Sequence, residues 1–132
     1  MPKILITQFS GRILGNHLRQ TPCEPFASDM KVQVSSDYFY PDALVDCDQK
    51  SNEYGVTDTP LIIVEVLSKA TRKIHHTLKR QAYQSLNSLQ EYLVIEQDVV
   101  DIEVCLRNRH WYRSTIFLAT KCISSLSIYI CL

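Results

Sequence analysis

The run from Pro60 to Leu67 constrains the fold more than any other segment of this chain. It reads Pro-Leu-Ile-Ile-Val-Glu-Val-Leu and is nearly all apolar and β-branched, which is the pattern of a strand buried on both faces. Glu65 lies inside this run, and a second acid, Asp42, lies in another run that reads as a buried strand. Because a buried carboxylate is costly to desolvate unless a partner compensates it, both acids call for a cationic neighbour.

A divalent cation between the two acids would compensate both, because hard cations take carboxylate oxygens as ligands. If the two strands are neighbours, side-chain alternation allows Asp42 and Glu65 to share one sheet face with their Cβ atoms roughly 5 Å apart. The alternatives remain open. Glu65 could instead form a salt bridge with Lys79 or Arg72, and Asp42 could be a strand-edge acid that follows Pro41.

The pattern of elements predicts an α+β or α/β fold in one domain that covers residues 1–132. Hydrophobic residues make up 45% and charged residues 21% of the chain, a globular composition. We predict, in chain order, a helix at 4–18, a hairpin of strands 25–34 and 38–47, a loop at 48–59, the strand Pro60–Leu67, a helix at 71–86, and strands at 92–96, 100–106 and 111–118. The second helix is expected to cover one face of the sheet.

The helix at 71–86 is strongly basic. Four apolar residues at four-residue steps form its expected core-facing stripe: Ile74, Leu78, Ala82 and Leu86. This rotation lets Lys79 flank the stripe and reach the sheet edge, while Arg72, Lys73 and Arg80 are expected to face solvent or DNA.

Charge is segregated along the chain, although its formal net charge is zero. Seven acids and one base lie from Asp37 to Glu65, whereas the segment 66–90 holds five Lys and Arg residues and no acid. An acidic block beside a basic one suits a cation site next to a phosphate track. Two solvated faces of opposite charge would give the same pattern.

The five cysteines are odd in number, widely spaced and without a CxxC pair. We therefore expect neither a zinc ribbon nor a disulfide scaffold, and interpret them as reduced thiols in a cytoplasmic protein. The N-terminal apolar stretch is too weak for a signal peptide. The apolar run 122–132 is too short to cross a bilayer, so no membrane partner is expected.

An ordered set of motifs resembles the Uma-two family. These motifs are Tyr-Pro-Asp at 40–42, Pro-Leu-Ile-Ile-Val-Glu-Val-Leu-Ser at 60–68, Thr71-Arg72, Lys79 with Tyr83, and Ser-Leu-Gln-Glu-Tyr at 88–92; Ser-Asp-Met-Lys-Val at 28–32 and Glu103-Val104 with Trp111 also fit. The resemblance covers most of the chain, from about 13 to 111. It implies an endonuclease with the restriction-endonuclease-like fold of the PD-(D/E)xK superfamily, a mixed central sheet with flanking helices.

The resemblance also implies roles for the matching residues. Asp42 and Glu65 would bind Mg²⁺, or Mn²⁺, with the backbone carbonyl of Val66 as a further ligand. The superfamily's usual lysine position is Leu67 here, so the catalytic lysine would be Lys79. Arg72, Lys73 and Arg80 would hold flanking phosphates of DNA, and His75 and Tyr83 would lie just outside the metal ligands.

Three departures from the family pattern matter for activity. His75 stands where the family usually has an aspartate. The first helix is short, and the chain stops where family members continue, so we expect a copy truncated at both ends. The two function hypotheses are a metal-dependent DNA endonuclease and a degenerate copy that serves as a binding or assembly module. Both a monomer and a homodimer remain open.

Overall fold

The computed structural model describes residues 18–27, 30–48, 55–67, 75–96 and 101–117. The predicted first helix lies outside these residues except for Leu18, as do Arg72, Lys73 and the run 122–132. The described elements are the strands β1 (Glu24–Ala27), β2 (Lys31–Val34), β3 (Asp37–Phe39), β4 (Ala43–Asp46), β5 (Val56–Thr57) and β6 (Pro60–Leu67), the helix α1 (His75–Gln84), and the strands β7 (Glu91–Glu96), β8 (Asp101–Leu106) and β9 (Arg113–Phe117), with a 3₁₀ turn at Arg107–Arg109.

The strands form a six-stranded sheet in the order β1-β4-β6-β7-β8-β9 and a three-stranded sheet in the order β3-β2-β5. The large sheet is mixed, because β6 and β7 pair in parallel while its other neighbours are antiparallel. The parallel pair requires a crossover connection, and α1 lies within it. The fold is therefore α+β, as predicted.

A hydrophobic cluster lies on each face of the large sheet, as the two-residue alternation of strands requires. One cluster is built on Val45, Ile62, Val64 and Leu93. The other is built on Leu44, Ile63 and Val94, and it also receives Tyr83 and the inner residues of β2. Helix α1 and the small sheet therefore cover the same face of the large sheet, which is also the face that carries Glu65.

The central strands agree with the prediction, and the predicted hairpin is confirmed in part, because β2 and β3 pair antiparallel across the turn at Ser35 and Ser36. Strand β6 spans Pro60–Leu67, and the predicted strands after the helix correspond to β7, β8 and β9. The predicted strand 25–34 is instead split between β1 and β2, which belong to different sheets, and 38–47 is split between β3 and β4. Pro41 lies at the second break, where a residue without an N–H cannot extend a ladder.

The prediction of a loop over 48–59 was wrong for the last part of this segment. There Val56 and Thr57 form a strand that pairs in parallel with β2. A two-residue strand is too short to produce a recognisable alternation, so the polar sequence around it dominated the prediction.

The predicted rotation of the helix was right for Lys79, which reaches Glu65, and for Ala82 and Leu86, which pack against the core, but wrong for Leu78 and Arg80. Leu78 is 65% exposed, whereas Tyr83 is fully buried. Ala82 and Leu86 are only partly buried, and the side chain of Ile74 lies outside the described residues. The face that meets the sheet carries Lys79, Arg80 and Tyr83, since acids on the sheet attract the basic side chains inward. Counting only apolar residues therefore misplaced the buried face.

The cysteine prediction requires a correction, because Cys23 and Cys47 form a disulfide. The two residues flank the antiparallel pair of β1 and β4, in which Glu24 lies opposite Asp46. Spacing of 24 residues gave no sign of this pairing, which arises from the strand register. Cys105 is buried and forms no disulfide, as expected, and Cys122 and Cys131 lie outside the described residues. Among the described residues, no helix is long and apolar enough to span a membrane.

The different burial of Leu78 on α1 and Leu89 beyond it predicts unequal effects of one substitution at two leucines. Leu78→Ala should change the free energy of unfolding by less than about 0.5 kcal/mol, because the side chain is exposed. Leu89→Ala should cost about 2–5 kcal/mol, since Leu89 is fully buried and a cavity would remain. Urea unfolding measures both values, and a large loss at Leu78 would contradict this orientation of the helix.

Candidate functional site

Asp42 and Glu65 are brought together by the register of β4 and β6. Ala43 lies opposite Val64, and Leu44 lies opposite Ile63. The same register places Asp42, just before β4, opposite Glu65 on the same face of the sheet. The Val66 amide donates a hydrogen bond of 2.7 Å to Oδ2 of Asp42, which fixes the aspartate at the start of β4.

The Glu65 carboxylate is buried and held by two side chains of α1. Its residue is 3% exposed. The Tyr83 hydroxyl donates a hydrogen bond of 3.0 Å to Oε1, and the Lys79 ammonium lies 3.6 Å from the same oxygen. Lys79 and Tyr83 are four residues apart and therefore adjacent on one side of the helix. The helix thus delivers both partners to one carboxylate oxygen.

Burial raises the pKa of Glu65 from 4.5 to about 7. The Lys79 ammonium opposes this rise, and the nearby Asp42 carboxylate adds to it. Burial and the neighbouring Glu65 also raise the pKa of Tyr83 well above its ordinary value, so its hydroxyl remains a donor. Without a cation, the site therefore holds two mutually repelling carboxylates, one of which is partly protonated near neutral pH.

A row of acids continues across the same face of the sheet. Glu65 lies opposite Val94, and Val94 lies opposite Glu103 on β8. Arg80 forms an ion pair with Glu103 at 3.7 Å and donates a hydrogen bond of 2.8 Å to the Trp111 carbonyl. Consecutive residues of α1, Lys79 and Arg80, therefore bind acids on two different strands and fix where the helix crosses the sheet.

Arg80 was expected to face solvent or DNA, and the expectation of solvent was wrong. Its side chain is only 15% exposed, and a phosphate would have to replace both of its contacts. The Arg80–Glu103 pair was not predicted from the sequence, although an acid within the apolar strand β8 was a usable sign. Trp111 packs against the cluster on this face, with the Arg107 guanidinium 5.1 Å from its ring centroid.

Tyr83 connects the site to the hydrophobic core. Its ring meets Phe39 edge-on at 5.5 Å between centroids and Tyr92 at 5.6 Å. Such contacts restrict the ring, so the direction of its hydroxyl toward Glu65 is well defined. His75 begins α1, but its side chain lies outside the described residues, as do Arg72 and Lys73.

The donor set fits a hard cation. Two adjacent carboxylates supply oxygen ligands, and their repulsion is the feature that a cation would relieve. The Val66 N–H points toward Asp42, and in an extended strand the carbonyl of the same residue points to the same edge. The described residues contain no group of three or more His, Cys, Asp and Glu side chains that could hold a metal. Backbone carbonyl or water oxygens would therefore have to complete the coordination.

The raised pKa of Glu65 predicts a pH-dependent effect of Glu65→Gln in the metal-free protein. Between pH 4.5 and about 7 the folded state binds more protons than the unfolded state, so the wild type loses stability as pH rises through this window. Glu65→Gln has no titrating carboxyl at this position, so its folded state does not lose this stability. Its stability relative to the wild type should increase by about 3 kcal/mol between about pH 4 and pH 8.

Urea unfolding across that pH range measures the difference, and Glu24→Gln at an exposed position controls for removal of one negative charge. A Glu65→Gln variant that is strongly destabilised at about pH 8 would instead identify Glu65 as a structural partner of Lys79.

Comparisons with known proteins identify a family that this chain resembles. A family model described as "Uma2: Putative restriction endonuclease" matches residues 5–128. Two uncharacterized proteins of Synechocystis, slr1290 and sll1609, are 33% and 31% identical over 96 and 107 residues, or 70% and 77% of this chain. These matches cover 50% and 57% of the two relatives, so the chain spans about half of their length.

A solved structure shares the fold. The crystal structure of an Anabaena variabilis protein, described as a putative nuclease belonging to DUF820, superposes with a TM-score of 0.65 over 84% of this chain and 64% of its own. The two are 12% identical. The mixed sheet with its crossover helix is thus a restriction-endonuclease-like fold, and the family match over nearly the whole length shows that this chain belongs to the Uma2 family.

Proposed function

We propose that this protein is a metal-dependent DNA endonuclease that hydrolyses phosphodiester bonds. The observation that carries the proposal is the pair of cross-strand carboxylates, Asp42 and Glu65, with the Lys79 ammonium on the same face of the sheet. A buried glutamate with a raised pKa, beside a second carboxylate and a lysine, is typical of sites that bind a cation and stabilise charge.

Asp42, Glu65 and the Val66 carbonyl would hold the cation, which we propose is Mg²⁺, with Mn²⁺ as a substitute. When bound, such an ion lowers the pKa of a water molecule and neutralises charge on the phosphate. Asp42 is held by the Val66 amide and Glu65 by Tyr83, so both carboxylates are oriented before any ligand arrives.

Lys79 has the position and the reach for a second role. Its side chain is 30% exposed while its ammonium contacts Glu65. A cation that binds the carboxylates would weaken the attraction of Lys79 to Glu65. The ammonium would then be available to stabilise negative charge on the phosphate as a point charge, or to orient the water.

The family's description supports DNA as the substrate. The solved Anabaena variabilis structure, described as a putative nuclease, supports the same class of chemistry. Arg72 and Lys73 remain predicted contacts to flanking phosphates. Such contacts position DNA without reading its sequence. Arg80 is left out of this proposal because Glu103 and the Trp111 carbonyl already engage its guanidinium.

The same contacts are also compatible with a second function, that of a module that binds or assembles without catalysis. Lys79 and Tyr83 together compensate Glu65 without any metal, so the same contacts would also stabilise a copy that only binds or assembles. The chain spans about half the length of its two relatives. The activity of a whole family member is therefore proposed for this chain and not assigned to it. Metal binding and strand cleavage separate the two functions, because the fold is common to both.

The nuclease proposal predicts selective loss of activity. Asp42→Asn, Glu65→Gln and Lys79→Ala should each reduce nicking of supercoiled plasmid by about 10²-fold or more, since each removes a group that holds the cation or stabilises charge. Arg109→Ala, at an exposed basic residue beyond β8, should leave nicking unchanged. Retained nicking in Lys79→Ala with loss in Lys69→Ala would identify Lys69 as the catalytic lysine.

The histidine at position 75 predicts a preference for Mn²⁺ over Mg²⁺. An imidazole in place of the family's aspartate removes a negative charge and an oxygen donor, which disfavours Mg²⁺ more than first-row transition metals. Nicking by the wild type should therefore be weak in Mg²⁺ and stronger in Mn²⁺, and His75→Asp should increase nicking in Mg²⁺. Robust wild-type nicking in Mg²⁺ that His75→Asp does not change would place position 75 outside the metal shell.

A further inference from the structure

Two exposed tyrosines, one on the outer face of the small sheet and one directly after β3, lie near one lysine. Tyr38 is 53% exposed and Tyr40 is 61% exposed. The Lys31 ammonium lies 6.0 Å from the ring centroid of Tyr38 and 5.8 Å from that of Tyr40. We call these three residues the tyrosine shelf. The nuclease site as proposed above makes no use of them.

The strand register explains why the shelf faces outward. Val32 lies opposite Phe39, and both side chains belong to the hydrophobic cluster on the site face of the large sheet. Because strand side chains alternate, Tyr38 and Lys31 must project from the other side of the small sheet. The shelf is therefore a fixed feature of a strand pair whose inner face is packed.

The shelf is also close to the two carboxylates along the chain, and a packed side chain links it to them. Tyr40 precedes Asp42 by only two residues, which is at most roughly 7 Å of extended chain. Phe39, between the two shelf tyrosines, meets the ring of Tyr83, whose hydroxyl contacts Glu65. A nucleic acid strand at the carboxylates would therefore have its next nucleotides within reach of the shelf.

We propose that the tyrosine shelf binds unpaired bases of a DNA strand next to the scissile phosphate, so that the preferred substrate contains single-stranded or unpaired nucleotides. This inference rests on the proposed nuclease function. An aromatic ring stacks on the face of any base, and a lysine between two rings can neutralise the connecting phosphate. A base inside an intact duplex is already stacked on its neighbours and offers no such face.

The charge of the shelf favours this occupant over a second protein. Protein interfaces are depleted in lysine at their centres, whereas Lys31 lies between the two rings of the shelf. Exposed aromatic rings with a lysine near both of them are the kind of surface on which proteins bind single-stranded nucleic acid.

Binding in EDTA tests the shelf independently of cleavage. The probe is a short fluorescein-labelled oligodeoxythymidylate, compared with a duplex of equal length, with fluorescence anisotropy as the readout for the full chain. The wild type should bind the single strand more tightly than the duplex. Tyr38→Ala and Tyr40→Ala should each weaken single-strand binding about tenfold, while Tyr38→Phe and Tyr40→Phe should stay near the wild type because stacking is retained.

A matched control is available in Tyr112, which is 76% exposed and directly precedes β9. Strand β9 is four strand spacings from β4 in the large sheet, roughly 19 Å, so Tyr112→Ala should not change binding. Lys31→Met should make the slope of log affinity against log salt shallower by about 0.7, the value for one phosphate contact of a single strand.

The outcomes separate the two proposals. Loss of binding in the alanine variants would support the shelf even if no variant cleaves DNA. Equal binding by the wild type, Tyr38→Ala and Tyr40→Ala would overturn the shelf while leaving the nuclease proposal intact. Alanine variants that change the sedimentation behaviour of the protein, without changing oligonucleotide binding, would show that the shelf contacts a second copy and would also overturn the inference.

Discussion

The burial of the Glu65 carboxylate is the constraint on which the rest of this structure depends. A charged group in the central strand of a sheet must be compensated, and the protein does so from one helix, with Tyr83 at 3.0 Å and Lys79 at 3.6 Å. This compensation is incomplete, because burial and the neighbouring Asp42 still hold the pKa of Glu65 near 7. A bound cation would remove the remaining free-energy cost of keeping this carboxylate charged in the interior.

The same electrostatics determine how the helix lies on the sheet. Lys79 pairs with Glu65 on β6, and the next residue, Arg80, pairs with Glu103 on β8. Tyr83 then fills the space between helix and sheet and packs against Phe39 of the small sheet. The helix, the large sheet and the small sheet therefore meet at the proposed site, so a change in any of the three would move its side chains.

The sequence predicted those features of the fold and the site that depend on local residue patterns. The apolar run around Glu65 identified β6 because burial on both faces leaves a continuous apolar signature, and the pairing of Asp42 with Glu65 followed from strand alternation once the strands were assumed adjacent.

What depends on tertiary pairing was not predictable in this way. The exposed Leu78, the inward Arg80 and the Cys23–Cys47 disulfide all arise from how elements dock, which apolar counts and cysteine spacing do not encode. The metal and catalytic roles of the site residues remain predictions, which one binding measurement addresses. Calorimetric titration of Mg²⁺ and Mn²⁺ into the metal-free wild type should give saturable binding that Asp42→Asn and Glu65→Gln remove and Glu103→Gln retains. Absence of binding to the wild type, or equal binding by Asp42→Asn, would contradict the claim that these two carboxylates hold a cation.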